Sequence, residues 1–159
     1  MRKEPANQLN GRALTVWRIS SSITMALFIF LCVGLIVISY IFPIPLWIGY
    51  SLLGLIVALS LFNIVFYSKL EWRKWKYEVH DSEVDIQHGV FTVQRSLIPM
   101  VRVQHVDTRQ GPLLRRFNLA TVTISTAATV HEIPALDVVE ADQLRDRISQ
   151  LARVTDYDE

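Results

Sequence analysis

Residues able to do chemistry are few in this chain, and they are scattered. His80, His88, His105 and His131 fall in separate strand-like segments. No Asp, Glu or Cys cluster sits beside them at the spacing a metal site needs. Such histidines read as strand-face residues, in water or hydrogen-bonded. Ser125 and Thr126 lack the Gly-x-Ser-x-Gly elbow of a hydrolase, and no Gly-rich loop is present to cradle phosphate. Cys32 is the single cysteine and lies in an apolar stretch, so it reads as a small packing residue. The expectation is a protein with no catalytic residues, no cofactor and no metal, and not an enzyme. An enzyme would need two histidines meeting a carboxylate in a cleft.

One polar cluster stands out. Arg102, Gln104, Arg109, Arg115 and Arg116 follow one another closely, and exposed guanidiniums engage carboxylates or phosphates in bidentate fashion. These five residues are the expected partner-docking patch. The alternative is that Leu113, Leu114 and Phe117 pack inward while the arginines only face water.

The elements that must carry these residues begin with a membrane segment. From Ile19 to Ser68 the chain runs fifty residues without Asp, Glu, Lys, Arg or His. A bilayer core takes roughly 20 apolar residues per helix, so the stretch is long enough for two crossings. Pro43 and Pro45 stand at its middle, where a helix would lose backbone donors and clash with its own preceding turn. The pattern predicts a helical hairpin, with one helix over about Trp17 to Tyr40 and another over about Leu46 to Tyr67, each about 33–36 Å long. A cleaved signal peptide fits poorly, because the apolar region is too long and no small-x-small site follows it.

Arg2, Lys3, Arg12 and Arg18 precede the first helix, Lys69, Arg73, Lys74 and Lys76 follow the second, and the loop between carries no charge. Positive flanks stay inside, which predicts two passes through the cytoplasmic (inner) membrane with both termini in the cytoplasm. Trp17, Arg18, Tyr40, Trp47, Tyr67, Lys69, Trp72, Arg73, Lys74, Trp75 and Lys76 are the expected membrane-interface residues, and membrane lipids are expected partners. Basic side chains interleaved with indoles from Lys69 to Lys76 could hold anionic headgroups, but topology signalling and helix-end snorkelling are the favoured reading. Asn63 is the one strongly polar side chain deep in the spans, expected to hydrogen-bond between helices, and Gly54 with Ala58 offers a small-residue face. No ionisable residue lies within the spans, which argues against a transporter.

All sixteen Lys and Arg and all fifteen Asp and Glu lie outside the apolar stretch, and the net charge is +1. That balance argues against nucleic-acid binding. The region after Ser68 is long enough for one small domain. From Tyr77 onward apolar residues alternate with polar ones: Tyr77 and Val79, then Val84 and Ile86, then Phe91, Val93, Arg95 and Leu97 on one face. Val101 and Val103, Val122 and Ile124, and a short segment from Val130 to Ile133 continue the pattern, which predicts an antiparallel meander that curls on itself. Gly111 to Asn118 reads as a short helical turn, with Pro112 at its start and Asn118 able to take a left-handed stop. Ala141, Leu144, Ile148 and Leu151 form one stripe of a C-terminal helix, with Asp137 as its cap and Glu140 completing a capping-box-like pair.

Pro99-Met-Val-Arg-Val-Gln104, then Gln110 through Ile124, then the terminal helix, resemble the bacterial pleckstrin-homology-like domain of the DUF304 class. The resemblance implies a small β-barrel capped by a helix, and a larger membrane partner carrying tandem domains of this kind. It implies no activity. Asn118 stands where the family commonly has Gly. Inositide-binding proteins of similar fold use a basic loop between the first two strands, whereas here that loop is the acidic His80-Asp-Ser-Glu83. The expected organisation is a cytoplasmic segment over 1–16, a transmembrane hairpin over 17–67, a PH-like β domain with its helix over 68–154, and an acidic tail over 155–159. The expected function is a membrane-anchored interaction module or scaffold, possible self-association included. The alternative is anionic-lipid sensing or lipid handling at the inner leaflet.

Overall fold

A computed structural model describes residues 4–42 and 45–157. Arg2, Lys3, Pro43, Ile44, Asp158 and Glu159 lie outside the described residues, so part of the positive flank, part of the expected break and the end of the acidic tail fall there. The chain divides into two compact units. One is Trp17–Lys69, and the other joins the residues up to Val16 with those from Leu70 onward.

The first unit is the hairpin. Helix α1 runs Gly11–Ile41 and α2 runs Leu46–Phe62. A π-helical turn, Asn63–Tyr67, follows α2, and α3 continues over Ser68–Lys74. Leu27, Phe30, Leu31, Leu55, Leu59 and Leu61 remain exposed on these helices, as a lipid environment requires. Close packing comes from Gly49, where an added Cβ would sit 2.6 Å from the Ile36 side chain. The expected face of Gly54 and Ala58 is not the tight contact: Gly54 has open space around it, and Ala58 is exposed. Asn63 does bond between helices, accepting from Ser21 Oγ at 3.2 Å. A π turn displaces backbone bonds. Two carbonyls of this turn gain side-chain donors: Arg18 Nε reaches the Ile64 oxygen at 3.2 Å, and Ser68 Oγ reaches that of Asn63 at 3.1 Å.

The second unit holds two antiparallel sheets. Strands β1 (Asn7–Gln8), β2 (Lys76–Val79), β3 (Glu83–His88) and β4 (Gln94–Pro99) pair in sequence order. Strands β5 (Val103–Arg109), β6 (Leu119–Thr126) and β7 (Val130–Asp137) form the other sheet. Among the described residues no backbone ladder joins the two, so the expected barrel appears as two sheets rather than one closed cylinder. Helix α5, Val138–Tyr157, packs on β5, β6 and β7, with Ala141 and Ile148 wholly buried. Tyr77, Val84, Ile86, Ile98, Met100, Leu119, Val122, Ile124, Ile133 and Leu136 are among the other core residues.

Local rules explain most of this. Asn10 Oδ1 caps α1 by accepting from Arg12 N at 3.0 Å. Asp137 Oδ1 accepts from Val139 N at 3.2 Å at the start of α5. The short helix α4 spans Pro112–Arg116 with Pro in its first turn, and Asn118 takes φ 58°, as its left-handed stop requires. Two expectations need correction. Glu140 does not complete a capping box, because its Oε1 accepts the Tyr77 hydroxyl at 2.5 Å instead. Phe91 and Val93 precede β4 and are 88% and 54% exposed, because the chain bends at Gly89, whose φ is 109°.

Candidate docking site

The five polar residues of the expected patch do not converge. Arg102 ends a 3-10 turn, Met100–Arg102, and Gln104 is the second residue of β5; both border a cleft of about 460 Å³. Arg109 closes β5, and Arg115 and Arg116 lie on α4. Five residue steps of strand separate Gln104 from Arg109, about 17 Å. The residues therefore form two exposed groups at opposite ends of one strand. Leu113, Leu114 and Phe117 are half-buried beside the second group.

The first group has a formed site around it. Leu97 and Val101 are 43% and 46% exposed at its cleft, with the β6–β7 hairpin, residues 126–129, opposite. A second cleft of about 710 Å³ shares Val101 and Gln104 with it and runs between β5 and α5. A third, of about 480 Å³, lies between β3–β4 and β7.

His88, His131 and Glu132 all line this third cleft. The His131 ring nitrogen is 2.9 Å from Thr129 Oγ1, and His88 stacks on Trp75 with centroids 5.5 Å apart. His80 lies 3.8 Å from Glu78 on exposed surface. Among the described residues no three His, Cys, Asp or Glu side chains converge as metal ligands.

The interface residues divide as well. Tyr40 and Trp47 are each 68% exposed near the turn of the hairpin, and Trp17, Arg18 and Tyr67 are half-buried. Lys69, Arg73 and Lys74 are exposed. The indoles of the following segment are committed to protein instead. Trp75 is buried, and Trp72 Nε1 donates to the backbone oxygens of Leu9 and Asn10 at 3.2 and 3.1 Å. Lys76 pairs with Glu4 at 2.5 Å and holds that carboxyl below its usual range.

Two features were not foreseen from sequence. The N-terminal segment joins the sheet, with Asn7 opposite Tyr77 and Ala6 N donating to Glu78 Oε2 at 3.2 Å. Asp85, buried on β3, receives a bidentate pair from Arg95 of β4. The alternation Val84-Asp85-Ile86 placed Asp85 on a polar face but held no sign that this face would be covered.

Two apolar helices joined to a two-sheet domain that packs on a terminal helix define a membrane protein with a PH-like domain. The chain belongs to the bacterial PH domain family, whose model matches residues 20–152. It is similar to the UPF0699 transmembrane protein YdbS of Bacillus subtilis, with 52% identity over 159 residues covering 99% of each chain. It is also similar to the UPF0699 transmembrane protein YdbT of the same organism, with 28% identity over 85 residues, 51% of this chain and 17% of that protein. No solved structure matches the chain significantly.

Proposed function

We infer that this chain is a non-enzymatic, membrane-anchored interaction module. The hairpin passes twice through the cytoplasmic membrane with both termini inside. The PH-like domain, working as a barrel-like body, docks a larger membrane protein with related domains or a second copy of this chain. The observation that carries the reading is the surface at Leu97 and Val101. It is exposed, apolar, bordered by Arg102 and Gln104, and indented by connected clefts. Exposed apolar residues grouped around concave, partly polar surface mark interaction sites. The similarity to YdbT supports the choice of partner, because the matching stretch is a small part of a much longer membrane protein.

Crosslinking in intact membranes, followed by identification of the joined chain, tests the reading. The expected product contains a second membrane protein with a related domain, or a second copy. Only lipid adducts would contradict it.

A second reading, contact with anionic lipid, rests on the exposed cations Lys69, Arg73 and Lys74. Such contacts contribute about 1 kcal/mol per basic residue and weaken with salt. The full chain in mixed-lipid nanodiscs should retain anionic lipid preferentially and lose it as salt rises. Equal retention of neutral lipid would count against this reading.

A further inference from the structure

We propose that the β3–β4 loop, residues 89–93, is an apolar wedge whose Phe91 and Val93 enter the interfacial layer of the bilayer that the hairpin spans. The ligand is a lipid surface held by apolar contact. That goes beyond both readings above, one of which takes a protein and the other the charge of a lipid. It rests on the hairpin crossing a bilayer, and holds whichever side carries the domain.

Strand register puts this loop at one end of the four-stranded sheet. Lys76, the first residue of β2, lies opposite Gln87, and one step further His88 lies opposite Gln94. Residues 89–93 close that end. Gln8 also lies opposite Lys76, so β1 leaves the sheet there on its way into α1. Helix α3 reaches the sheet at the same end, since only Trp75 separates it from β2. The loop therefore shares its end of the sheet with both segments that lead into the apolar helices. Side chains tie the loop's base to α3. His88 stacks on Trp75, with centroids 5.5 Å apart. Glu71, one turn earlier, also feels His88: burial pushes its carboxyl up, and the imidazole charge draws it back down.

The chemistry of the loop selects lipid as its occupant. Residues 89–94 carry no charge, so nothing in them opposes entry into an apolar layer. Phe91 is 88% and Val93 54% exposed, and large apolar side chains grouped on a surface mark a contact site. The turn behind them is already shaped. Gly89 takes φ 109°, and a Cβ there would collide with the Thr92 backbone oxygen. A tip held in shape loses little freedom on insertion. Arg73 and Lys74 are exposed in the last turn of α3, at the same end of the sheet. Interfacial anchors combine these parts: cations stay among the phosphates, and apolar side chains reach about 5–10 Å into the boundary between headgroups and acyl chains.

The test uses the full chain in phosphatidylcholine vesicles. An environment-sensitive nitrobenzoxadiazole label is placed by Thr92→Cys in a Cys32→Ser background, so that Phe91 and Val93 stay in place. Thr92 is exposed. The reference is the same label at Ser82→Cys, in the exposed turn at the other end of the sheet, about 17 Å of strand away. Lipid carrying a spin label near the top of its acyl chain should quench position 92 about twofold or more above position 82. Iodide in the water should quench position 92 less, and added salt should change neither result, because apolar contact is not screened. Phe91→Asp should bring position 92 to the level of position 82 and leave position 82 unchanged. Equal quenching at both positions would overturn the proposal. Protection from iodide without quenching by the lipid label would overturn it too, and would set the loop against protein. Lipid quenching that needs added phosphatidylglycerol and fades with salt would overturn the wedge and leave the lipid-charge reading standing.

Discussion

Asp85 is 3% exposed at its side chain and is paired with the bidentate guanidinium of Arg95. Removing one partner of such a pair strands the other charge. Asp85→Ala should destabilise the chain by about 3 kcal/mol, read as thermal unfolding in detergent, and a double exchange of both residues for apolar ones should recover most of it. Tyr77 is a second pinning residue. Burial, and then its hydrogen bond to Glu140, push its phenol well above the ordinary value. Tyr77→Phe should cost about 1.5 kcal/mol. The sign with pH follows. Above about pH 10 an unfolded chain loses the phenol proton while the folded chain keeps it, so stability falls as pH rises beyond that point. The Phe variant should lose this alkaline decline, and an unchanged decline would remove Tyr77 as its source. Asn118 was legible from sequence because its left-handed backbone follows a five-residue helix that begins with Pro112. Ala135, with φ 53°, was not read, although Pro134 beside it marks an irregular strand, where the β6–β7 register shifts.

At the scale of elements, the hairpin and the terminal helix were legible because apolar length and helical spacing are strong local signals. The tight point of the hairpin was not. Gly54 and Gly49 look alike in sequence, and only the facing helix decides which one packs. Gly49→Ile should lower the unfolding temperature in detergent, because Ile36 already occupies the space its side chain needs, and Gly54→Ala should leave it unchanged. Equal effects would place the helix contact elsewhere. Strand β1 was missed because two residues carry no period. It is held by long-range partners, Tyr77 through the ladder and Trp72 through Leu9 and Asn10. The indoles of Trp72 and Trp75 were legible as amphipathic groups beside a membrane segment, and tertiary packing then put both to structural use. The candidate site was legible only in part. Arg102 and Gln104 sit at clefts, while strand geometry carries Arg109, Arg115 and Arg116 to the other end.

For the whole molecule, a PH-like domain is joined by continuous chain to two apolar helices. The topology is checked by a reporter fused after the C-terminal helix, expected to be active only when cytoplasmic; activity confined to the outside would reverse the assignment. The central claim is that the domain exists to meet another protein in the membrane. The most direct measurement is the mass and composition of the full chain purified in mild detergent from its native membranes. The account predicts a complex with a second membrane protein or a second copy of this chain, dispersed by substitutions at Val101 and Arg102. A lone monomer under every mild condition would contradict it.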